Sequence, residues 1–281
     1  MAIIVSHGSP QTIWVPVKES TSIYVGGLVC TGINAIDEGV IVLPDSTGVS
    51  DVSAHNVILG VVIGTNRKEP LFNTTELAEY ITAPVAADPH DGASIDYVGV
   101  EGPWSKGEGV PMVKVALITS STVLKANLWA TDAGTPLVVM TATAADTNGT
   151  AVTTNAGDFT NVANLGTIYA RSGANAGCYR QRTDADTGAS SATWDWAMPK
   201  DIAAGDTFVS VPVRCFGWST VTFDHTTASW IDCDDEAVLN GASTYAINVV
   251  RLDLREAGKE FVEFMFQPQH FSAFITSAAT A

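Results

Sequence analysis

The chain is short of charge. Only 16% of its 281 residues are Asp, Glu, Lys or Arg, while 46% are hydrophobic. So much apolar material with so little charge excludes a disordered chain over most of the length, because burial can offset the entropy of ordering. Basic residues are the scarcest, 14 against 30 acidic, for a formal net charge of -16. The deficit is not a tail: residues 1–120 hold 5 basic and 13 acidic residues, and 121–281 hold 9 and 17, so each stretch stands at -8. With no basic stripe, nucleic acid and anionic membranes are excluded as partners.

Cysteine is scarce too. Cys30, Cys178, Cys215 and Cys233 include no C-x-x-C pair, which excludes a zinc ribbon or a redox motif of that kind. Four cysteines at this length do not make a disulfide framework, so a reducing compartment is expected. Cys30 and Cys215 fall in apolar runs and read as small buried hydrophobes. No apolar run approaches the roughly 20 residues of a membrane span. The start, MAIIVSHGSPQTIWV, lacks a basic region and a small-residue cleavage site, so no secretory signal is expected. The sequons at Asn73 and Asn148 then read as chance matches. Sustained helical periodicity is also missing.

What is present is strand material. From Tyr24 to Pro70, the apolar runs Val25–Cys30, Gly39–Leu43 and Val57–Ile63 are separated by Gly26-Gly27, Asn34, Asp37-Glu38-Gly39, Pro44-Asp45 and Gly48. Short apolar runs bounded by Gly, Pro, Asn and Asp are strands with tight connections. Ala2–Val5 and Ile13–Val17 precede them, and Val110–Ile118 closes a first block. Val123–Trp129, Pro136–Thr141, Thr167–Arg171, Cys178–Arg182, Asp206–Phe216, Ser219–Phe223, Tyr245–Leu254 and Lys259–Phe266 form a second series. Strands at this spacing predict an all-β chain. The expected organisation is a small β-barrel or sandwich over 1–120 and a second, sandwich-like β-domain over 121–281, with few short helices. Asn148-Gly149 between Thr-rich flanks is a candidate hairpin turn. Thr74 or Thr75 is a candidate cap for one short helix ending before Pro84.

The search for chemistry finds little. His7, His55, His90, His225 and His270 are scattered without ligand spacing. His7-Gly8-Ser9 carries no G-x-S-x-G elbow, and Asp224-His225 reads as a solvated turn. The densest acidic cluster, Asp232-Cys233-Asp234-Asp235-Glu236, is open to two readings, a solvated turn or a Ca²⁺ site; Ala237 stands where an EF-hand loop needs Gly. No Gly-rich phosphate loop with a Lys is present. The prediction is therefore a non-enzyme, with no catalytic, cofactor-binding or metal residue assigned. Trp104, in a Gly- and Pro-rich loop, is either a contact residue or packed on its own domain. Trp194 and Trp196 alternate on one face of the run Ala192–Met198 and read as core or interface.

Two stretches resemble virion proteins of tailed bacteriophages. Gly27, Val29, Gly39, Val40, Gly60, Val61 and Val62 follow the glycine–valine rhythm of head decoration (cement) proteins. Ala176, Gly177 and Arg180, then Pro199, Ile202, Gly205, Asp206 and Phe208, are similar to a turn-and-strand pattern of phage structural β-domains. Together the stretches cover under half the chain. The resemblance implies a capsid decoration protein, made in the host cytoplasm and residing on the virion surface. It would bind the major capsid protein, often as a homotrimer or other homo-oligomer, with no cofactor. Typical cement proteins are single and much shorter, so the second domain departs from the pattern. The major capsid protein itself is less expected, because its fold needs a long spine helix and the sequence holds no amphipathic run of that length. The alternative reading is a carbohydrate- or receptor-binding β-module using Trp104 or Trp230; a hydrolase on a β-scaffold is the least favoured.

Overall fold

The computed structural model describes residues 3–17, 22–31, 41–42, 57–68, 75–76, 80–82, 112–130, 133–155, 166–183, 190–224, 229–233 and 245–271. Among them the fold is all-β, and the one helix is a single turn, Pro268–Phe271. The chain divides into two compact units: Met1–Leu124 with His225–Ser229 and Gln267–Ala281, and Lys125–Asp224 with Trp230–Phe266.

The first unit is built from β1 (Ile4–His7), β2 (Thr12–Pro16), β3 (Ser22–Tyr24), β4 (Leu28–Thr31), β5 (Ile41–Val42), β6 (Val57–Lys68), β7 (Thr75–Glu76), β8 (Tyr80–Thr82) and β9 (Met112–Leu117). Its main sheet runs β2-β9-β6-β4-β5, with β7 also on β6 and β3 paired to β8. Val17, Ile23, Val29, Val62, Val113 and Val115 form its core. Branched side chains suit this pleated, half-buried surface. The sheet is tight at Gly60, where a Cβ would lie 2.1 Å from the Ala116 carbonyl oxygen. The Gly26-Gly27 pair makes a turn with Gly26 at φ 81°, closed by the Gly27 amide on the Tyr24 carbonyl at 2.9 Å. A distant segment fastens this turn: the Leu28 amide donates to Ser229 Oγ at 2.7 Å.

The helix expected after Thr74 does not form at the described residues. Thr75–Glu76 pairs with Arg67–Lys68, and Tyr80–Thr82 pairs with β3. A cap signal is local, and a two-turn helix is marginal on its own. Ladder bonds from β6 and β3 outweigh it, and Tyr80, Ile81 and Thr82 are residues that favour strands.

The second unit holds β10 (Val123–Trp129, entering it at Lys125), β11 (Met140–Thr141), β12 (Ala151–Thr153), β13 (Thr167–Ala170), β14 (Tyr179–Gln181), β15 (Ser191–Thr193), β16 (Thr207–Val211), β17 (Gly217–Asp224), β18 (Trp230–Asp232), β19 (Tyr245–Asp253) and β20 (Phe261–Phe266). Strands β10-β18-β17-β19-β20 close on themselves through β20–β10, giving a five-stranded barrel. β18 runs parallel to β10, with Leu128 opposite Ile231. Its interior is aromatic: Phe223 meets Tyr245 at 5.6 Å, Phe264 at 5.9 Å and Phe266 at 5.7 Å, while Trp129 and Trp230, 5.5 Å apart, point to the opposite face of their strands.

Beside the barrel lies a four-stranded sheet, β11-β16-β13-β14, and a two-stranded pair, β12–β15. Met140, Val152, Ile168, Trp194, Ile202 and Phe208 are buried between them. This lobe is tied to the barrel by polar contacts: Arg171 donates to the Leu254 carbonyl and pairs with the buried Glu260, and the Tyr179 hydroxyl lies 3.4 Å from both the Leu252 carbonyl and the Leu254 amide. The strand expected to run to Phe216 stops at Val211. Pro212 has no amide to continue the ladder, and residues 212–216 bend until Gly217, at φ 78°, starts β17.

Candidate functional site

Most residues singled out in the sequence turn out to be structural or lie outside the described set. Trp104, His55, His90, His225, Asn73 and Asp234–Glu236 are outside it. His7 is exposed on β1. His270 is buried, and burial pushes its pKa down to about 4. No group of three His, Cys, Asp or Glu side chains among the described residues could hold a metal ion. Asn148-Gly149 sits in a turn ordered by Asp146, whose carboxylate accepts from the amides of Asn148, Thr150 and Ala151 at 2.9–3.0 Å. Burial would raise the Asp146 pKa, but these amides hold it below the usual carboxylate range.

Three expectations are corrected. Trp230, offered as an exposed binding residue, is 0% exposed and packs against Trp129. Cys215, read as buried, is exposed, because β16 ends before reaching it; Cys30 is buried as expected, and burial pushes its thiol up to about 12. Trp194 and Trp196 do not share a face. β15 ends at Thr193, Trp194 makes an isolated bridge with Arg182, and the chain bends at Asp195-Trp196. Trp194 is therefore core, whereas Trp196 is 80% exposed.

The residues that resemble the phage pattern have local jobs. Gly177, at φ 94°, closes the turn between β13 and β14. Asp206 caps the preceding turn by accepting from the Ala203 amide at 3.0 Å, and Ile202 and Phe208 are core. Arg180 is the exception, since it reaches out of the sheet. Its guanidinium donates to the carbonyls of Trp196 at 2.8 Å, Ala197 at 2.8 Å and its neighbour Tyr179 at 2.7 Å. On the other side of this bend, Trp194 Nε1 and the Met198 amide both donate to the Gly149 carbonyl, at 2.8 and 2.7 Å. The loop carrying Trp196 is thus pinned on both sides while its indole stands in solvent. A shallow groove of about 330 Å³ beside it is lined by Tyr179, Arg180, Gln181, Asp195, Trp196 and Cys215.

A second exposed apolar set lies on the barrel wall. Phe216 is 76% exposed, Trp218 52% and Val250 43%. Gly217 pairs with Val249 and Trp218 with Asn248, so Trp218 points away from the interior, and Phe216 lies in the bend just before the strand. The Arg214 guanidinium sits 5.4 Å from the Trp218 ring centre, a cation stacked on an exposed indole. Sequence reasoning missed this set because Phe216 was read as part of a buried strand. The usable signal was Pro212 followed by Cys-Phe-Gly-Trp, a strand break ahead of two aromatics.

Comparison with protein-family models, with curated proteins and with solved structures finds no match to this chain.

Proposed function

We propose that the protein is a structural component of a virion, bound to the outer surface of a shell of major capsid protein and stabilising it, without catalysing a reaction. The observation that carries this reading is the apolar set Phe216, Trp218 and Val250 on the wall of a closed barrel. Clustered aromatics left in solvent on a rigid frame mark interaction surfaces, and Trp and Arg are the usual anchors of such contacts. The phage-like turn residues and the even acidity of the chain are consistent with it. Assembly as a homotrimer or other homo-oligomer on the capsid surface belongs to the same proposal.

The test is cosedimentation of the purified protein with shells assembled from the major capsid protein. Wild type is expected to bind, and the Phe216→Ser/Trp218→Ser double variant to lose about 10- to 100-fold in apparent affinity, the scale of removed anchor residues. Wild type that stays in the supernatant, or a double variant that sediments equally, would sink the reading.

A further inference from the structure

We propose that the groove beside Trp196 is a binding subsite for one uncharged pyranose ring. The first ground is the presentation of the indole. A tryptophan 80% exposed would normally sit on a yielding loop, but here Arg180 holds the carbonyls of Trp196 and Ala197, and Gly149 holds Trp194 and Met198. The loop is ordered before any ligand arrives, which lowers the entropy cost of binding.

The second ground is the set of polar groups left over. Arg180 is aimed at backbone carbonyls, and the Tyr179 hydroxyl is turned toward Leu252 and Leu254. Asp195 and Gln181 also line the groove, and neither side chain has a hydrogen-bond partner among the described residues. A flat indole beside one free carboxylate and one free amide matches a molecule with an apolar C–H face and a rim of hydroxyls. The hydroxyls would donate to Asp195 and exchange hydrogen bonds with Gln181, while the C–H face covers Trp196.

The third ground is size and charge. The groove, at about 330 Å³, sits at the lower end of small-molecule sites and is far too small to seat a protein partner by itself. Asp195, in a chain of net charge -16, opposes anionic sugars, which favours a neutral ring. The groove and the Phe216–Trp218 wall use different anchor residues, and sugar binding is measured on the isolated protein. Its outcome is therefore separate from that of shell binding.

Saturation-transfer NMR on the full chain, titrated with methyl glucoside, methyl galactoside, N-acetylglucosamine and glucuronate, tests this. At least one neutral sugar is expected to bind with a dissociation constant on the order of 1 mM, the range reached by a ligand of about twelve heavy atoms. Trp196→Ala should weaken that binding at least about tenfold and Asp195→Ala should weaken it less, with near-UV circular dichroism unchanged apart from the lost indole, while Phe216→Ser/Trp218→Ser leaves it intact. No saturable transfer from any neutral sugar up to about 50 mM, equal binding by Trp196→Ala, or glucuronate binding as tightly as the neutral rings would each overturn it.

Discussion

Within the second unit, the barrel and the sheet lobe treat their strand edges in opposite ways. The barrel has none: β20 returns to β10, every strand is flanked, and the outer wall can engage a partner only through side chains such as Phe216 and Trp218. The four-stranded sheet ends at β14, and an open edge invites pairing with another chain. Here a side chain does the work of a missing strand. Arg180 folds back over the edge, takes the Tyr179 carbonyl, and bridges to the loop at Trp196 and Ala197. Closure stabilises by burying aromatics, whereas the blunted edge is held by a few charge-assisted hydrogen bonds. The two regions should therefore fail differently.

The largest effect is expected in the barrel. Phe223 is fully buried among three aromatic rings, and Phe223→Ala should cost about 3–5 kcal/mol in urea denaturation. A cost below about 1 kcal/mol would mean that the barrel interior is not the stabilising core described above. Arg180→Ala should cost less, about 1–3 kcal/mol, because it removes hydrogen bonds from a charged donor at a half-exposed position. Its signature is local: Trp196 becomes more mobile by fluorescence anisotropy while the barrel aromatics keep their near-UV signal. Global loss of that signal would erase the distinction between the two regions.

The smallest effect is set by pH at the barrel rim. Hydrogen bonds from the Arg255 side chain, outweighing burial and aided by Arg251, hold Asp253 at about 2. Because this lies below the unfolded value of about 3.9, the unfolded chain takes up the proton first. The contribution is complete above about pH 4 and is lost as the pH falls toward 2. Arg251 and Arg255 are themselves exposed, so screening limits the effect to under about 1 kcal/mol. Urea midpoints of wild type and Asp253→Asn should differ at pH 5 and converge near pH 2.5, as the linkage requires. A gap that widened on acidification would reverse the assigned sign.

The strands themselves were legible where side chains alternate over a long enough run. Val123–Trp129 has the predicted ends, and Tyr245–Asp253 and Phe261–Phe266 fall within their predicted segments. Pairing was not legible. That β10 lies parallel to β18, about a hundred residues away, depends on barrel closure and leaves no local mark. Trp218 and Trp230 point to the same side of the strands, opposite Phe223, yet one is half exposed and the other fully buried, a difference that alternation within a strand does not carry. The candidate site was half readable. Arg180 and Trp196 were both noted, but the contact that joins them spans 16 residues and arises only where β15 ends early.

The first unit is discontinuous in the chain: it opens with Met1–Leu124 and is completed by His225–Ser229 and Gln267–Ala281. On the ribosome, the second unit's first hundred residues emerge before Ser229 is available to take the Leu28 amide. The segment made first must therefore wait, with the turn at Gly26 still unfastened, until the first hundred residues of the second unit have been made. Vectorial synthesis thus works against the amino-terminal piece, and a nascent chain stalled before that serine would present the part of this protein most in need of a chaperone.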